Sequence, residues 1–268
     1  MKKTVLFVSL LAVLFGACSE SDTANPNPAN EQPLVRKISY TKFNTGGGID
    51  VQAHQDFFYV NRVLSHTIDY RADSAEFFRT DYTFENEKLL TIKTTQSDHP
   101  EAGGLSTLIY EGDNLQRMES VAYAMPWYTR TDFEYQGDNL IQNLYGAPKG
   151  QTEPMELLNR RIKQFDNGNI VTTNFEQFAF PPLSFTDHYS YDNSNNPFKN
   201  MNRYFRMTIN VSNIHPLSNN NYVTEADDSG VIWYDFEVIC NQQQYPVSIK
   251  RYLHQDHRLV EQTDIEYL

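Results

Sequence analysis

The residues in this chain best suited to chemistry lie in one alternating segment near its C-terminus. In Val231-Ile232-Trp233-Tyr234-Asp235-Phe236-Glu237-Val238, Trp233, Asp235 and Glu237 share one parity, and Ile232, Tyr234, Phe236 and Val238 the other. If the second set faces a core, an indole and two carboxylates stand outward together. A ring face beside hydrogen-bonding acids is what a sugar-binding surface uses. Trp127, followed by Tyr128, offers a second ring of the same kind. The competing reading is an edge or loop-covered strand with Trp233 packed beneath it.

Other candidates fall away on spacing. His254 and His257 would point to opposite faces of a strand or turn, and no third metal ligand accompanies them. Asp192, Ser194 and Asn196 imitate the start of a calcium loop. Pro197 stands where that loop needs glycine, and Arg203 where it needs glutamate. Gly46-Gly47-Gly48 is a flexible turn without the helix that phosphate binding requires. No nucleophile elbow or dinucleotide fingerprint occurs. A carboxylate pair for glycoside hydrolysis cannot be picked from 34 acids without their spatial separation. Cys240 has apolar parity in Phe236-Glu237-Val238-Ile239-Cys240 and reads as a buried small hydrophobe with no local base. The sequence therefore names no catalytic residue, no metal ligand and no cofactor.

The N-terminus gives an address. Lys2-Lys3, an apolar run from Val5 to Phe15 and the small residues Gly16-Ala17 before Cys18 have the order of a secretory signal peptide. With Leu14 upstream, the site resembles the lipobox read by bacterial lipoprotein signal peptidase. That resemblance implies cleavage after residue 17 and lipidation of Cys18, anchoring the chain to a membrane. Residues 18–33 are polar and rich in Asn and Pro and read as a flexible tether. Ser19-Glu20-Ser21-Asp22 resembles the surface-export signal of certain Gram-negative lipoproteins, which favours the cell-surface side of a bacterial outer membrane. The chain's net charge is −12, and cleavage would remove two lysines more. Such a balance excludes a nucleic-acid partner, whose phosphates demand a basic footprint, and makes adsorption to an anionic membrane unfavourable. Lipid, rather than charge, must hold it there. Asp22-Thr23-Ala24 and Asp73-Ser74-Ala75 match a short motif resembling an O-glycosylation signal of some envelope bacteria.

The elements that must carry any site are strands. Seventeen Tyr and 17 Phe against 2 Trp favour half-buried pleated surfaces. One phrase recurs: an aromatic, a polar turn, then an aliphatic residue, as in Phe84-Glu-Asn-Glu-Lys-Leu89 and Tyr110-Glu-Gly-Asp-Asn-Leu115. Tyr135-Gln-Gly-Asp-Asn-Leu140, Phe165-Asp-Asn-Gly-Asn-Ile170 and a looser copy from Tyr191 follow, with steps of 26, 25, 30 and 26 residues between leading aromatics. Asn and Gly tolerate the positive φ of tight hairpin turns, so each unit is expected to be a hairpin that pairs with the next. Thr131, Phe133 and Tyr135 alternate with Arg130, Asp132 and Glu134, and Phe205, Met207, Ile209 and Val211 with Arg206, Thr208 and Asn210. Both runs read as strands with one wet face. Met155–Phe165 fits a short helix or a strand equally well. Pro- and Asn-rich sequence at 179–183 and 214–221 reads as loops, and residues 201–228 hold no clear copy of the repeat.

These phrases resemble the tyrosine-aspartate repeats of bacterial surface and toxin-delivery proteins. Together with the lipobox, the chain resembles a bacterial lipoprotein family of unknown function with a porin-like fold. The resemblance implies an all-β domain over residues 34–268, a large curved antiparallel meander of repeated hairpins, half-barrel or porin-like, water-soluble rather than a membrane-spanning barrel. The expected function is a non-enzymatic binding or scaffolding module whose partner is carbohydrate or another envelope protein. The alternatives are an envelope glycan hydrolase using a carboxylate pair, and a small-ligand or lipid carrier with an apolar cavity inside a barrel.

Overall fold

The first four copies of the repeat phrase each build one tight hairpin, whereas the copy from Tyr191 opens a long connection. Asn86 and Glu87 take φ of 48° and 65°, and Asn167 and Gly168 take 49° and 78°. Two consecutive left-handed residues are what a two-residue turn between right-twisted strands requires. Gly168 has a second reason to be glycine, since a Cβ there would overlap the Asn219 side chain. The aliphatic residues that close the phrase, Leu89, Leu115, Leu140 and Ile170, are all buried. The leading tyrosines hook each hairpin to the one before it. Tyr110 donates its hydroxyl to the Leu89 carbonyl (2.6 Å), Tyr135 to Leu115 (3.1 Å) and Tyr191 to Ile170 (2.5 Å). Phe165 has no hydroxyl, and its backbone N–H reaches the Asp138 carbonyl at 2.8 Å. The repeat is thus a ladder of partly buried hydrogen bonds, each worth about 1 kcal/mol.

The structure is a computed structural model and describes residues 32–268 apart from 72–76, 98, 125–126, 149, 151–154 and 180. Residues 1–31, with the expected signal peptide, Cys18 and most of the expected tether, lie outside the described residues, as do both Asp-Ser/Thr-Ala matches. Pro33–Leu268 is one compact unit. Its strands are β1 (Val35–Phe43), β2 (Ile49–Val60), β3 (Val63–Arg71), β4 (Phe77–Glu85), β5 (Lys88–Gln96), β6 (Gly104–Glu111), β7 (Asn114–Ala122) and β8 (Trp127–Gln136). They continue as β9 (Asn139–Pro148), β10 (Glu156–Asp166), β11 (Asn169–Gln177), β12 (Leu183–Tyr191), β13 (Tyr222–Asp227), β14 (Ile232–Cys240), β15 (Pro246–Leu253) and β16 (Arg258–Tyr267).

All sixteen pair antiparallel in sequence order, and β1 pairs with β16, so the sheet is a closed barrel. Of the forms the resemblance implied, the closed ring replaces the open half-barrel. Closure aligns Ile38 with Ile265, Ser39 with Asp264 and Thr41 with Gln262, and gives hydrogen-bonding partners to two edges that an open sheet would leave exposed. The segment Met155–Phe165 resolves as strand β10.

The connection from β12 to β13 fills one end of the barrel. It carries α1 (Arg203–Thr208), so the strand read into Phe205–Val211 is corrected to one helical turn and a loop. The alternation there had no wet face behind it. Tyr204 and Phe205 are both buried, and Met207, Ile209 and Val211 pack on the core. Asn202 caps α1, its side-chain oxygen accepting from the N–H groups of Tyr204 (2.9 Å) and Phe205 (3.2 Å). The segment is pinned to the rim at several turns. Asn200 donates to the Pro33 carbonyl (3.0 Å), Asn202 to Glu87 (2.7 Å), Tyr204 to Asp113 (2.7 Å), and Asn169 to the Asn220 side chain (3.0 Å). Phe205 meets Tyr82 edge-on, and Tyr204 meets Tyr110 likewise. The calcium-like residues are used here as glue. Asp192 accepts from the N–H groups of Ser194 and Asn221, and the fully buried Asn196 donates to the carbonyls of His215 and Asn220.

Candidate ligand cavity in the barrel lumen

The plug lies at the end where β2–β3, β4–β5, β6–β7, β8–β9 and β10–β11 turn in two residues. Longer connections ring the other end. Above the plug, on the inner face of β7–β12, is a cavity of about 480 Å³ whose floor is Arg206–Asn210 and Ile214–Leu217. That volume falls within the usual range for a small-molecule site.

Register defines the wall row by row. One row runs Leu140, Lys163, Thr173, Asp187 across β9 to β12. The next row toward the mouth runs Phe133, Gln142, Arg161, Phe175, Phe185 across β8 to β12. Phe175 and Phe185 lie with ring centroids 5.1 Å apart, and the Arg161 guanidinium sits 5.5 Å from the Phe175 ring. Arg161 is exposed to solvent although it lies in this inward row, so the cavity is open to water. Lys163 is half-buried below it, and burial, then the charge of Arg161, lowers its pKa to about 8. His215 on the floor is driven down to about 3 by burial and by the charges of Lys163 and Arg161, so its imidazole is neutral.

Arg206 and Arg251, the other inward arginines near the cavity, are engaged. Arg206 donates to the carbonyls of Pro216 (2.5 Å), Ser218 (3.0 Å) and Lys199 (3.4 Å), which ties α1 to the loop beneath the cavity. Arg251 lies 3.4 Å from Glu225 and 3.5 Å from the centre of the Tyr234 ring. Asp187 is the carboxylate among the residues lining the large cavity; burial raises its pKa, and the Tyr189 hydroxyl lies 3.4 Å away. A second cavity of about 360 Å³, against β1–β4 and Asn210–Ser212, holds one carboxylate in its lining, Asp69, pushed up by burial to about 6. Neither lining brings two carboxylates together, the arrangement glycoside hydrolysis needs.

The sequence's own candidates lie elsewhere. Trp233 is half-exposed at the start of β14, its indole N–H donating to Asp227 (3.2 Å). Asp235 accepts from His254 Nδ1 (2.7 Å), and Glu237 accepts from the Tyr252 hydroxyl (2.9 Å) near Lys250 (3.7 Å). All three alternate with core-facing Tyr234 and Phe236, and so stand on the outer wall. Trp127, also half-exposed, is on β8, six strands round the ring from β14, so the two indoles share no surface. His257 stacks on Tyr252 and does not join His254, and no cluster of potential metal ligands exists among the described residues. Cys240 is only partly buried, contrary to expectation, because its strand ends beside the β14–β15 turn. Sequence reasoning missed Arg161, Lys163 and His215. A signal was available: Arg161 and Lys163 share parity with Phe165, the leading aromatic that marks the inward face in each repeat.

The outer wall is charged over much of its circumference. Arg79 pairs with Asp81 (2.7 Å), Arg117 with Asp132 (2.9 Å), Arg160 with Glu176 (3.6 Å) and Arg36 with Glu266 (2.8 Å). No helix among the described residues is long and apolar enough to cross a membrane, which leaves the question to this wall.

No family model matches the chain, and no curated protein does. Solved structures do. A porin-like protein from Bacteroides uniformis superposes with a TM-score of 0.54 at 12% identity, covering 87% of this chain and 96% of that one. A porin-like protein from Bacteroides vulgatus gives a TM-score of 0.42 at 13% identity, covering 88% and 99%. At such identity the likeness concerns fold alone: this chain is an all-β, antiparallel, sixteen-stranded closed barrel of porin-like type.

Proposed function

We propose that this is an envelope lipoprotein, anchored to the outer membrane through Cys18 and favoured to face the cell surface, whose barrel is water-soluble and takes a small ligand into its lumen without catalysing a reaction. One observation carries the binding reading: a barrel stoppered at one end by its own chain, with a cavity of about 480 Å³ above the stopper. A plug rules out a through-channel at that end and leaves a cup. The mixed lining, with Arg161, Lys163, Gln142 and Asn159 beside Phe133, Phe175 and Phe185, suits a polar ligand rather than a lipid tail. The hydrolase alternative has no pair of acids in either cavity lining to support it.

Solubility rests on the outer wall. A membrane barrel presents an apolar band about 25 Å tall, whereas here the ion-paired Arg79, Asp81, Arg117, Asp132, Arg160 and Glu176 stand on the outer face of β4, β7, β8, β10 and β11. Anchoring rests on the sequence around Cys18. Phase partition in a cloud-point detergent tests both. The full chain should enter the detergent phase, and a variant shortened to begin at Ser19 the aqueous phase. A shortened protein that still partitions into detergent would overturn the soluble-barrel reading.

A further inference from the structure

Every cation on the outer wall named above has a carboxylate within 4 Å, as expected in a chain of net charge −12. Inside, Arg251 has Glu225 and Arg206 has three carbonyls. Arg161 and Lys163, which line the large cavity, have neither. Among the described residues, neither makes an ion pair or a hydrogen bond through its charged group; Arg161 has only the face of Phe175. They stand two residues apart on β10, both inward, so each raises the cost of the other's charge. Asp187 does not relieve them. It lies two strands along the same row as Lys163, about 10 Å away by strand spacing, with the Tyr189 hydroxyl beside it. His215 beneath them is neutral and adds no compensating charge.

Two neighbouring cations held without a counter-charge in a partly desolvated cup are stabilised most by an anion between them. The surrounding groups say what the anion is attached to. Phe175 and Phe185 line the cavity in the row of Arg161, as does Gln142, and Asn159 lines it one inward position further along β10. We propose that the cavity is a site for a small ring-bearing carboxylate, its charged group held between Arg161 and Lys163 and its ring against Phe175 and Phe185. This deepens the lumenal-binding reading and rests on it.

Calorimetric titration of the Cys18→Ser protein with two acids and their neutral counterparts tests the idea: glucuronate against glucose, and benzoate against benzyl alcohol. At least one acid should bind, with its neutral counterpart at least about tenfold weaker. Lys163→Met and Arg161→Gln should each weaken that acid about tenfold or more, as loss of one charged contact does. Methionine keeps the length of the lysine stem and removes an unpaired ammonium, so Lys163→Met should melt no lower than its parent without ligand. Neutral compounds that bind as well as the acids would sink the carboxylate assignment while leaving a lumenal site standing. Binding of an acid unaltered in both variants would overturn it too. If neither acids nor neutral compounds bind, the lumenal-binding reading fails along with it.

Discussion

His215 sits on the cavity floor with Nδ1 2.9 Å from the Tyr191 hydroxyl and its ring stacked on the buried Tyr222. Its pKa of about 3 against the usual 6.5 has a consequence for stability. As pH falls from about 6.5 toward 3, the unfolded chain takes up a proton that the folded chain refuses, so the folded state loses stability across that window. Replacing His215 with Gln keeps a hydrogen-bonding side chain and removes the titration. Urea midpoints at pH 7 and pH 4 should show the wild type losing about 3 kcal/mol more than His215→Gln. Equal losses would show that this histidine does not titrate as described. Nothing in Ile214-His215-Pro216 announces such a role. A neutral histidine beside two cations is a property of what folds around it, whereas the leading aromatics of the repeats could be read directly because their period is local.

At the scale of elements, hairpins and plug contrast. The hairpins were legible because each is specified within some 25 residues, by turn residues that accept positive φ and by strict alternation. The plug was not, because its buried side chains answer to partners far along the chain: Asn202 to Glu87, Asn200 to Pro33, Tyr204 to Asp113. Asn- and Ser-rich sequence that looks like exposed loop becomes a buried hydrogen-bonded network when a barrel closes round it. Asn202 is where this network and α1 meet. Substituting it with Ala removes the cap and the tie to Glu87 and should cost about 1–2 kcal/mol, read from the urea midpoint. A variant with the parental midpoint would mean the plug is held without its cap.

For the whole molecule the decisive contact is the seam between β1 and β16. Ser39 and Asp264 are paired neighbours across it, within the Cα separation that a disulfide spans. In a Cys18→Ser, Cys240→Ser background, Ser39→Cys with Asp264→Cys should cross-link on mild oxidation and migrate as a more compact species on non-reducing gels. An open half-barrel would hold these residues apart and would leave both thiols free. Closure also creates the cup. Without the seam the inner rows of β7–β12 would be one face of an open sheet, and Arg161 and Lys163 would be ordinary solvated cations.

Sequence alone determined the all-β class, the antiparallel hairpin unit and the alternation of Phe133 and Tyr135 with Asp132 and Glu134, because alternation and turn chemistry act over a few neighbouring residues. Its resemblance to a lipobox at Cys18 is likewise local, a linear motif of a few neighbouring residues. Tertiary structure alone decided that the sheet closes, that residues 192–221 turn back into it, and that Trp233, Asp235 and Glu237 stand on an outer wall while Arg161 and Lys163 face a cavity. Those outcomes depend on which ends of the chain meet and what the closed ring encloses. Pairings between strands so far apart leave no periodic trace in the sequence.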